Sequence, residues 1–230
     1  NESYIPKKPN LNIDKLNIKY IPKILCREAH FFEPNVYGIY AARTKQTGHF
    51  HPVPAEYGGH YNILGWCHTF YQLLPPDKYF KDHPEWYSLI NGKRTTDGAQ
   101  LCLANEEMRK ELVKNALEWI KKNPEAGIIS IAQNDCGGPC QCPECAALEK
   151  AEGSPSGPVI NFVNKVADEI NKQYPDFLIE TLAYQYTRKA PKTMKPGKNV
   201  LVRLCSIECD YGLPLTDPRN KSFRDDLTEW

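Results

Sequence analysis

Residues 127–133 read GIISIAQ, a short apolar stretch with glycine at one end and the polar sequence QND at the other. A second stretch of this kind, VLVRL, covers residues 200–204. Runs that are apolar at nearly every position are typical of strands buried on both faces in a parallel sheet. The two runs therefore predict an α/β fold built on parallel strands.

Strand-like and helical patterns alternate along the chain. We predict short strands, bounded by Pro, Gly, Asn or Asp, at residues 23–27, 61–67, 99–103, 127–133, 177–182 and 199–204. Two amphipathic helices are predicted from apolar residues at helical spacing, which are Met108, Leu112, Ala116 and Ile120 in the first and Val159, Val163, Val166 and Ile170 in the second. Each helix has one face that must be buried.

The alternation leaves a β/α barrel or an open doubly wound sheet. No GxGxxG or GxxxxGKS follows a predicted strand, which removes the usual nucleotide-binding reason for the open sheet. We therefore predict a (β/α)8 TIM-type barrel in a single domain over residues 1–230. Because such a barrel needs eight strand–helix units in roughly 250 residues, we expect it to be truncated at its C-terminal side, with flanking domains in a longer protein.

Composition limits the partners. Lys and Arg total 29 against 28 Asp and Glu, so no long-range field favours nucleic acid or an anionic membrane. The longest apolar stretches are too short to span a bilayer. Nine cysteines are many for a reducing cytosol, and we expect an extracytoplasmic location.

Polar and aromatic residues follow the predicted strands, where β/α barrels carry their chemistry. These residues are His68, Asn134, Asp135, Tyr184, Glu208 and Asp210, and Trp66 lies near the end of the second predicted strand. Sugars present C–H faces to rings and hydroxyls to polar groups, so rings interleaved with carboxylates are typical of a glycan site. The pattern predicts a glycan as the partner. For Asp135, a turn or capping role before Cys136 is the structural alternative.

Glu180 lies inside a predicted strand, between Ile179 and Thr181. A buried carboxylate is unfavourable by several kcal/mol unless it is paired or functional. Two interpretations remain open, an ion pair with Arg203 on the next strand and a role in substrate binding.

Cys136, Cys140, Cys142 and Cys145 lie within ten residues. Four thiolates suit a tetrahedral structural zinc, which leaves no open position for catalysis. Disulfides, for example Cys136 or Cys140 with Cys145, and free thiols are the alternatives. In each case the cysteine loop is predicted to hold Asp135 in place, and no cofactor is expected to take part in catalysis.

The segments HPEWYSLINGKR, QLCLANEEMR, SIAQNDCGGPCQCPEC and VLVRLCSIECDYG together resemble domain of unknown function 4838, which overlaps glycoside hydrolase family 163. The resemblance covers most of the chain, and the cysteine-bearing segment is its most specific part. It implies a β/α-barrel domain of bacterial glycan-degrading proteins. Family 163 is similar to other endo-β-N-acetylglucosaminidases, which act on complex N-glycans with retention.

The resemblance also implies roles for individual residues. By analogy with barrels that use the substrate's acetamido group as nucleophile, Asp135 would be the general acid and Asn134 would orient or polarise that group. Glu208 is the second candidate, either as the acid itself or as the charge opposite an oxocarbenium-like centre. The strand-end and aromatic pattern, apart from the resemblance, predicts that His68, Trp66, Glu180, Tyr184 and Asp210 bind substrate. The alternatives are an exo-acting, α-glucuronidase-like enzyme that uses Arg27 or Arg203 for the uronate, and a non-catalytic carbohydrate-binding module.

Overall fold

A computed structural model describes residues 7, 10, 15, 17 and 19–230. Its strands are β1 (Ile63–Leu64), β2 (Leu89–Ile90), β3 (Lys93–Arg94), β4 (Ile128–Ser130), β5 (Leu178–Ala183) and β6 (Val200–Leu204). Its helices are α1 (Phe32–Val36), α2 (Gly38–Arg43), α3 (Phe70–Leu73), α4 (Pro76–Tyr79), α5 (Glu106–Lys122), α6 (Pro143–Glu152), α7 (Ser156–Asn171) and α8 (Lys221–Glu229). Short 3-10 turns cover Ala55–Tyr57, Pro84–Trp86, Gln185–Thr187 and Pro218–Asn220.

The main sheet is parallel, as the apolar runs predicted. Its strands lie in the order β1, β4, β5, β6, with Ile63 opposite Ile128 and Ser130 opposite Glu180. All three residues of β4 are buried, which agrees with a strand covered on both faces. Because the strands are parallel, their carboxyl ends meet at one edge of the sheet. Closure into a barrel is not seen within the described residues and stays a prediction.

Two predicted strands are wrong. Residues 23–27 form no strand, because their apolar side chains are not buried: Ile24 is 69% and Leu25 is 61% exposed. Residues 99–103 contribute only an isolated antiparallel bridge between Leu101 and Tyr87. The backbone of this second segment forms its hydrogen bonds with loop residues, because Gln100 O accepts from Ser88 N and Gln100 N donates to Gly138 O. The other four predicted strands form the sheet, as β1, β4, β5 and β6 in their order along the chain.

The two predicted amphipathic helices are confirmed as α5 and α7. The side chain of Asn105 accepts a hydrogen bond from the Met108 backbone N–H and caps α5. Helix α7 packs against α5 and α6 and against β5 and β6. Its Phe162 is fully buried and meets the ring of Phe70 edge-on at 5.9 Å, so α7 lies at the centre of the apolar core.

No helix in the described part of the chain has the length and apolar character needed to cross a bilayer.

Candidate active site at the carboxyl edge of the sheet

Residues at and beyond the carboxyl ends of β1, β5 and β6 line a depression of about 200 Å³ at this edge of the sheet. It is lined by Trp66, Cys67, His68, Leu182, Tyr184, Arg203, Cys205 and Ile207. The segment after β1 is fixed by Thr69, whose buried hydroxyl donates to Ser130 O at 2.8 Å and accepts from Ala132 N at 3.0 Å. β1 and the end of β4 are thereby joined beside the depression.

Trp66 and His68 have left-handed backbone conformations, with φ of 43° and 55°. Non-glycine residues rarely adopt such angles, which are unfavourable by about 1 to 3 kcal/mol and persist where the surrounding structure holds them. Here the two turns direct both side chains to the lining of the depression. The predicted aromatic and imidazole residues after this strand therefore lie at the site.

Asp135 lies beside this depression with an exposed side chain, 62% accessible to solvent. The Tyr184 hydroxyl donates to Asp135 Oδ1 at 3.0 Å. His68 Nε2 lies 4.0 Å from the same oxygen. Burial raises the pKa of Tyr184, and the hydrogen bond to Asp135 adds to the shift, so the phenol stays protonated and remains a donor at neutral pH.

His68 has a defined tautomer. Its Nδ1 lies 2.7 Å from Gln133 O, and because a carbonyl oxygen only accepts, Nδ1 carries a proton. Neutral His68 therefore has its lone pair on Nε2, the nitrogen nearer Asp135. Asp135, Tyr184 and His68 form a polar trio with one exposed carboxylate.

Asn134 is adjacent to Asp135 but its side chain is committed to the fold. Its Oδ1 accepts from Tyr71 N at 3.3 Å, and its Nδ2 donates to Ala99 O at 2.9 Å. Gln100 binds the backbone of the same residue on both sides, through Oε1 to Asn134 N and through Nε2 to Asn134 O. This network holds the segment that carries Asp135.

Glu180 is paired with Arg203, one of the two interpretations left open by the sequence. Arg203 Nε lies 2.5 Å from Glu180 Oε1, and the Glu180 side chain is only 4% exposed. Burial raises the pKa of Glu180, although the Arg203 charge acts in the opposite direction. The Arg203 guanidinium also lies over the Trp66 ring, 5.5 Å from its centroid. Arg203 thus joins the buried carboxylate to the lining of the depression.

Glu208 and Asp210 are directed elsewhere. Glu208 Oε1 lies 3.4 Å from Arg188 Nη1, and Arg188 also pairs with Asp226 of α8. Asp210 closes a turn, because its Oδ1 accepts from Gly212 N at 2.9 Å. Neither residue lines the depression.

Two thiols also line the depression. Burial raises the pKa of Cys67, and it raises that of Cys205 to about 11. Both are therefore protonated at neutral pH, and neither has the thiolate character of a cysteine nucleophile.

Some lining residues were not singled out from the sequence. Leu182 ends a predicted strand, and Cys205 and Ile207 follow another, so the same strand-end rule includes them. Phe50 was also missed, and its ring packs 5.1 Å from that of Trp66. It lies in the loop before β1, where no periodic pattern marks individual residues.

The cysteine group differs from the one predicted. The sulfurs of Cys102, Cys140, Cys142 and Cys145 all lie within 4.8 Å of one another. Cys136 is outside this group, because its thiol points to the backbone of Ala99, with Sγ 3.6 Å from the carbonyl oxygen. All nine cysteines are free thiols. Cys102 therefore replaces Cys136 as the fourth member.

The family described as "Domain of unknown function (DUF4838)" matches residues 1–230. This chain belongs to that family. No curated protein matches the DUF4838 chain.

Two solved structures are similar to parts of the DUF4838 chain, and both are crystal structures of the GH36 α-galactosidase AgaA from Geobacillus stearothermophilus. In the complex with raffinose, the similarity covers 46% of this chain and 15% of that one, at 15% identity and a TM-score of 0.30. In the complex with stachyose, it covers 45% and 14%, with the same identity and TM-score. The matched part of the chain thus spans about one seventh of the length of these enzymes.

The site of the DUF4838 domain combines an exposed carboxylate, a phenol donor and an imidazole beside aromatic and apolar walls. A carboxyl group of this kind can exchange a proton with a bound molecule. The ring of Trp66 offers a face for apolar C–H groups. The arrangement suits a polar, ring-shaped ligand better than a purely apolar one.

Proposed function

We propose that this chain carries the active-site edge of a glycoside hydrolase that acts on N-acetylglucosamine-containing glycans. The contact between Tyr184 and Asp135 carries the proposal, because it fixes an exposed carboxylate at the rim of an aromatic depression. The sequence resemblance to family 163 supports the same class of substrate. In this proposal the four strands are part of a (β/α)8 barrel and the protein works outside the cytoplasm.

Asp135 would transfer the proton to the glycosidic oxygen. General acids in glycosidases must be protonated before the transfer, and desolvation favours the protonated form. A sugar that covers this exposed carboxyl would remove water from it. Tyr184 holds the carboxylate in place by donating to Oδ1, and His68 Nε2 lies 4.0 Å from the same oxygen.

Retention would use the substrate's own acetamido oxygen as the nucleophile. A retaining glycosidase otherwise needs a second carboxylate about 5 Å from the first. Among the described residues, no carboxylate lines the depression, and the nearby Glu180 is buried against Arg203. The acetamido group would supply the missing nucleophile, and Asp135 would then take up the proton of the water that opens the intermediate.

Asn134 and Glu208 take different roles from those implied by the resemblance. Because both polar atoms of the Asn134 side chain bind backbone groups, Asn134 would position Asp135 instead of contacting the acetamido group. Glu208 would stabilise the fold through Arg188.

The test is Asp135→Asn in the full-length protein, assayed on N-glycopeptides and on aryl N-acetylglucosaminides. General-acid catalysis typically contributes about 10² to 10⁴ in rate, so kcat should fall by that order while glycan binding persists. Asp168→Asn is the matched control, since Asp168 is exposed on α7. Unchanged turnover in Asp135→Asn would contradict the role of Asp135.

An exo-acting enzyme for uronates is the second candidate, favoured by the position of Arg203 in the lining. Arg27 does not support it, because its guanidinium binds the backbone carbonyls of Ile24, Leu25 and Lys45. Hydrolysis of aryl uronides in place of N-acetylglucosaminides would favour this candidate. Glycan binding with no hydrolysis of either substrate would favour a carbohydrate-binding module.

A further inference from the structure

Four buried sulfurs, one from the segment before α5 and three from residues 140–145, converge beneath the loop that follows β4. Cys102 precedes α5, Cys140 and Cys142 lie in the loop, and Cys145 is in the first turn of α6. Each of the four residues is at most 7% exposed. The Cys102 and Cys142 sulfurs are 3.6 Å apart, and all four lie within 4.8 Å of one another.

We propose that Cys102, Cys140, Cys142 and Cys145 bind one structural zinc ion. Zinc takes four thiolates at about 2.3 Å in a tetrahedron, whose sulfurs are then about 3.8 Å apart. The Cys102–Cys142 separation of 3.6 Å is close to this value and no pair exceeds it by more than about 1 Å, so the ion fits with small adjustments of the side chains. With four sulfur ligands the coordination shell is closed, and the ion has a structural and not a catalytic role.

Groups around the sulfurs suit the negative charge of a zinc–tetrathiolate centre. The Leu89 backbone N–H donates to Cys140 Sγ at 3.3 Å, and Arg94 Nη1 lies 3.7 Å from the same sulfur. Four thiolates and Zn²⁺ leave two net negative charges, which the Arg94 guanidinium and this N–H group partly offset. Both donors come from the β2–β3 hairpin. The cysteine loop also contacts this hairpin directly, because the Gln141 backbone N–H donates to Leu89 O.

Disulfide formation explains the convergence of the four sulfurs less well than a metal ion does. One disulfide would join two of the four sulfurs and leave the other two buried without a reason to converge, and two disulfides would divide the four into separate pairs. A tetrahedral metal uses all four. The same geometry explains why Cys136 is excluded, since its sulfur contacts Ala99 O and Gln100 Nε2.

The zinc ion would hold the Asp135 loop against the rest of the domain. Gln100, two residues before Cys102, donates through Nε2 to the backbone oxygens of Asn134, Cys136 and Gly137. Gly138 approaches the same segment so closely that a Cβ would lie 2.3 Å from Gly98 O. A metal ion that joins Cys102 to Cys140 and Cys142 would therefore hold residues 98–100 against residues 134–138.

The metal content of the full-length protein, purified without chelators, tests the proposal by inductively coupled plasma mass spectrometry. We expect one zinc per chain. Cys102→Ser should lose the zinc, whereas the matched control Cys136→Ser should keep it, because only Cys102 belongs to the sulfur group. Full zinc retention in Cys102→Ser, or an equal content of iron in place of zinc, would overturn the assignment.

A measurement on the unaltered protein covers the case in which Cys102→Ser does not fold. A strong zinc chelator should lower the melting temperature, and added Zn²⁺ should restore it. Replacement by Co²⁺ should produce thiolate-to-metal charge-transfer absorption. Protein that contains no metal and takes up none, or a disulfide among the four cysteines found by mass spectrometry, would overturn the proposal. These readouts do not depend on glycosidase activity.

Discussion

Glu180 lies in the middle of β5, and its negative charge is compensated mainly by one charged neighbour. Arg203 supplies that neighbour from β6, where it also faces Trp66. Removing one partner of a buried ion pair lowers the free energy of unfolding by more than the intact pair contributes, because an uncompensated charge remains buried. The pair is thus a sensitive point of the fold directly beneath the candidate site.

Arg203→Met should lower the free energy of unfolding at pH 7 by about 2 to 3 kcal/mol, less than for a fully buried pair because Arg203 is partly exposed. Burial already raises the folded-state pKa of Glu180 above its ordinary 4.5, and loss of Arg203 raises it further. A carboxyl group whose pKa is higher in the folded than in the unfolded state destabilises the fold at pH values above the unfolded-state pKa. The loss of stability in Arg203→Met should therefore shrink as the pH falls toward 4.5. Urea unfolding at several pH values measures this.

The double variant Glu180→Gln/Arg203→Met is the control for charge compensation. Since it removes both charges, it should recover much of the stability lost in Arg203→Met at pH 7. Equal losses in the single and double variants would mean that Arg203 does not compensate Glu180.

Helices α5 and α7 are joined at the surface by Glu106. This residue lies in the first turn of α5, where a negative charge suits the helix dipole. Its carboxylate pairs with Arg109 in the same helix and with Lys165 of α7 at 2.9 Å. The hydrogen bonds from Arg109 and Lys165 lower the pKa of Glu106 to about 2. One exposed carboxylate thus connects two elements that the sequence predicts separately.

Glu106→Gln should lower the free energy of unfolding by about 0.5 kcal/mol at pH 7, as is usual for solvent-screened ion pairs. A carboxylate with a lowered folded pKa stabilises above its unfolded pKa. The contribution is therefore lost as the pH falls from about 4.5 to about 2. Urea unfolding curves at pH 7 and pH 3 measure the difference from the unaltered protein.

Glu107→Gln is the matched control, because Glu107 occupies the same helical turn but, among the residues that the structure describes, pairs only with Lys110 of its own helix. Its effect should be smaller than that of Glu106→Gln. Equal effects would show that the link to α7 adds nothing measurable.

The core joins the sheet to the helices on it as one body. Phe162 of α7 is fully buried, contacts Phe70 of α3, and belongs to the same apolar cluster as Ile129 of β4 and Ile179 of β5. Such a continuous cluster favours a single cooperative unfolding transition.

Phe162→Ala should lower the free energy of unfolding by about 3 to 5 kcal/mol, through lost burial and the cavity left behind. Circular dichroism and tryptophan fluorescence should report the same shifted transition in denaturant. Phe32→Ala is the control, since Phe32 on α1 is 65% exposed, and its effect should stay within about 0.5 kcal/mol. Separate transitions for the two signals would contradict a single core.

The sequence alone determined the features that depend on local patterns. Continuous apolar runs predicted the parallel strands β4 and β6, and the spacing of apolar residues predicted α5 and α7. Parallel strands end at one edge, so the polar and aromatic residues that follow them could be expected to gather there. Trp66, His68, Tyr184 and Asp135 do lie together at that edge.

The tertiary structure decided the features that depend on distant partners. Cys102 joins the sulfur group in place of Cys136, and Glu208 turns to Arg188 instead of the depression. Residues 23–27 and 99–103 resemble strands locally but find no place in the sheet. The physical reason is the same in each case: an apolar run, a thiol or a carboxylate is equally satisfied by several neighbours, and only the packing of segments far apart in the chain determines which one is within reach.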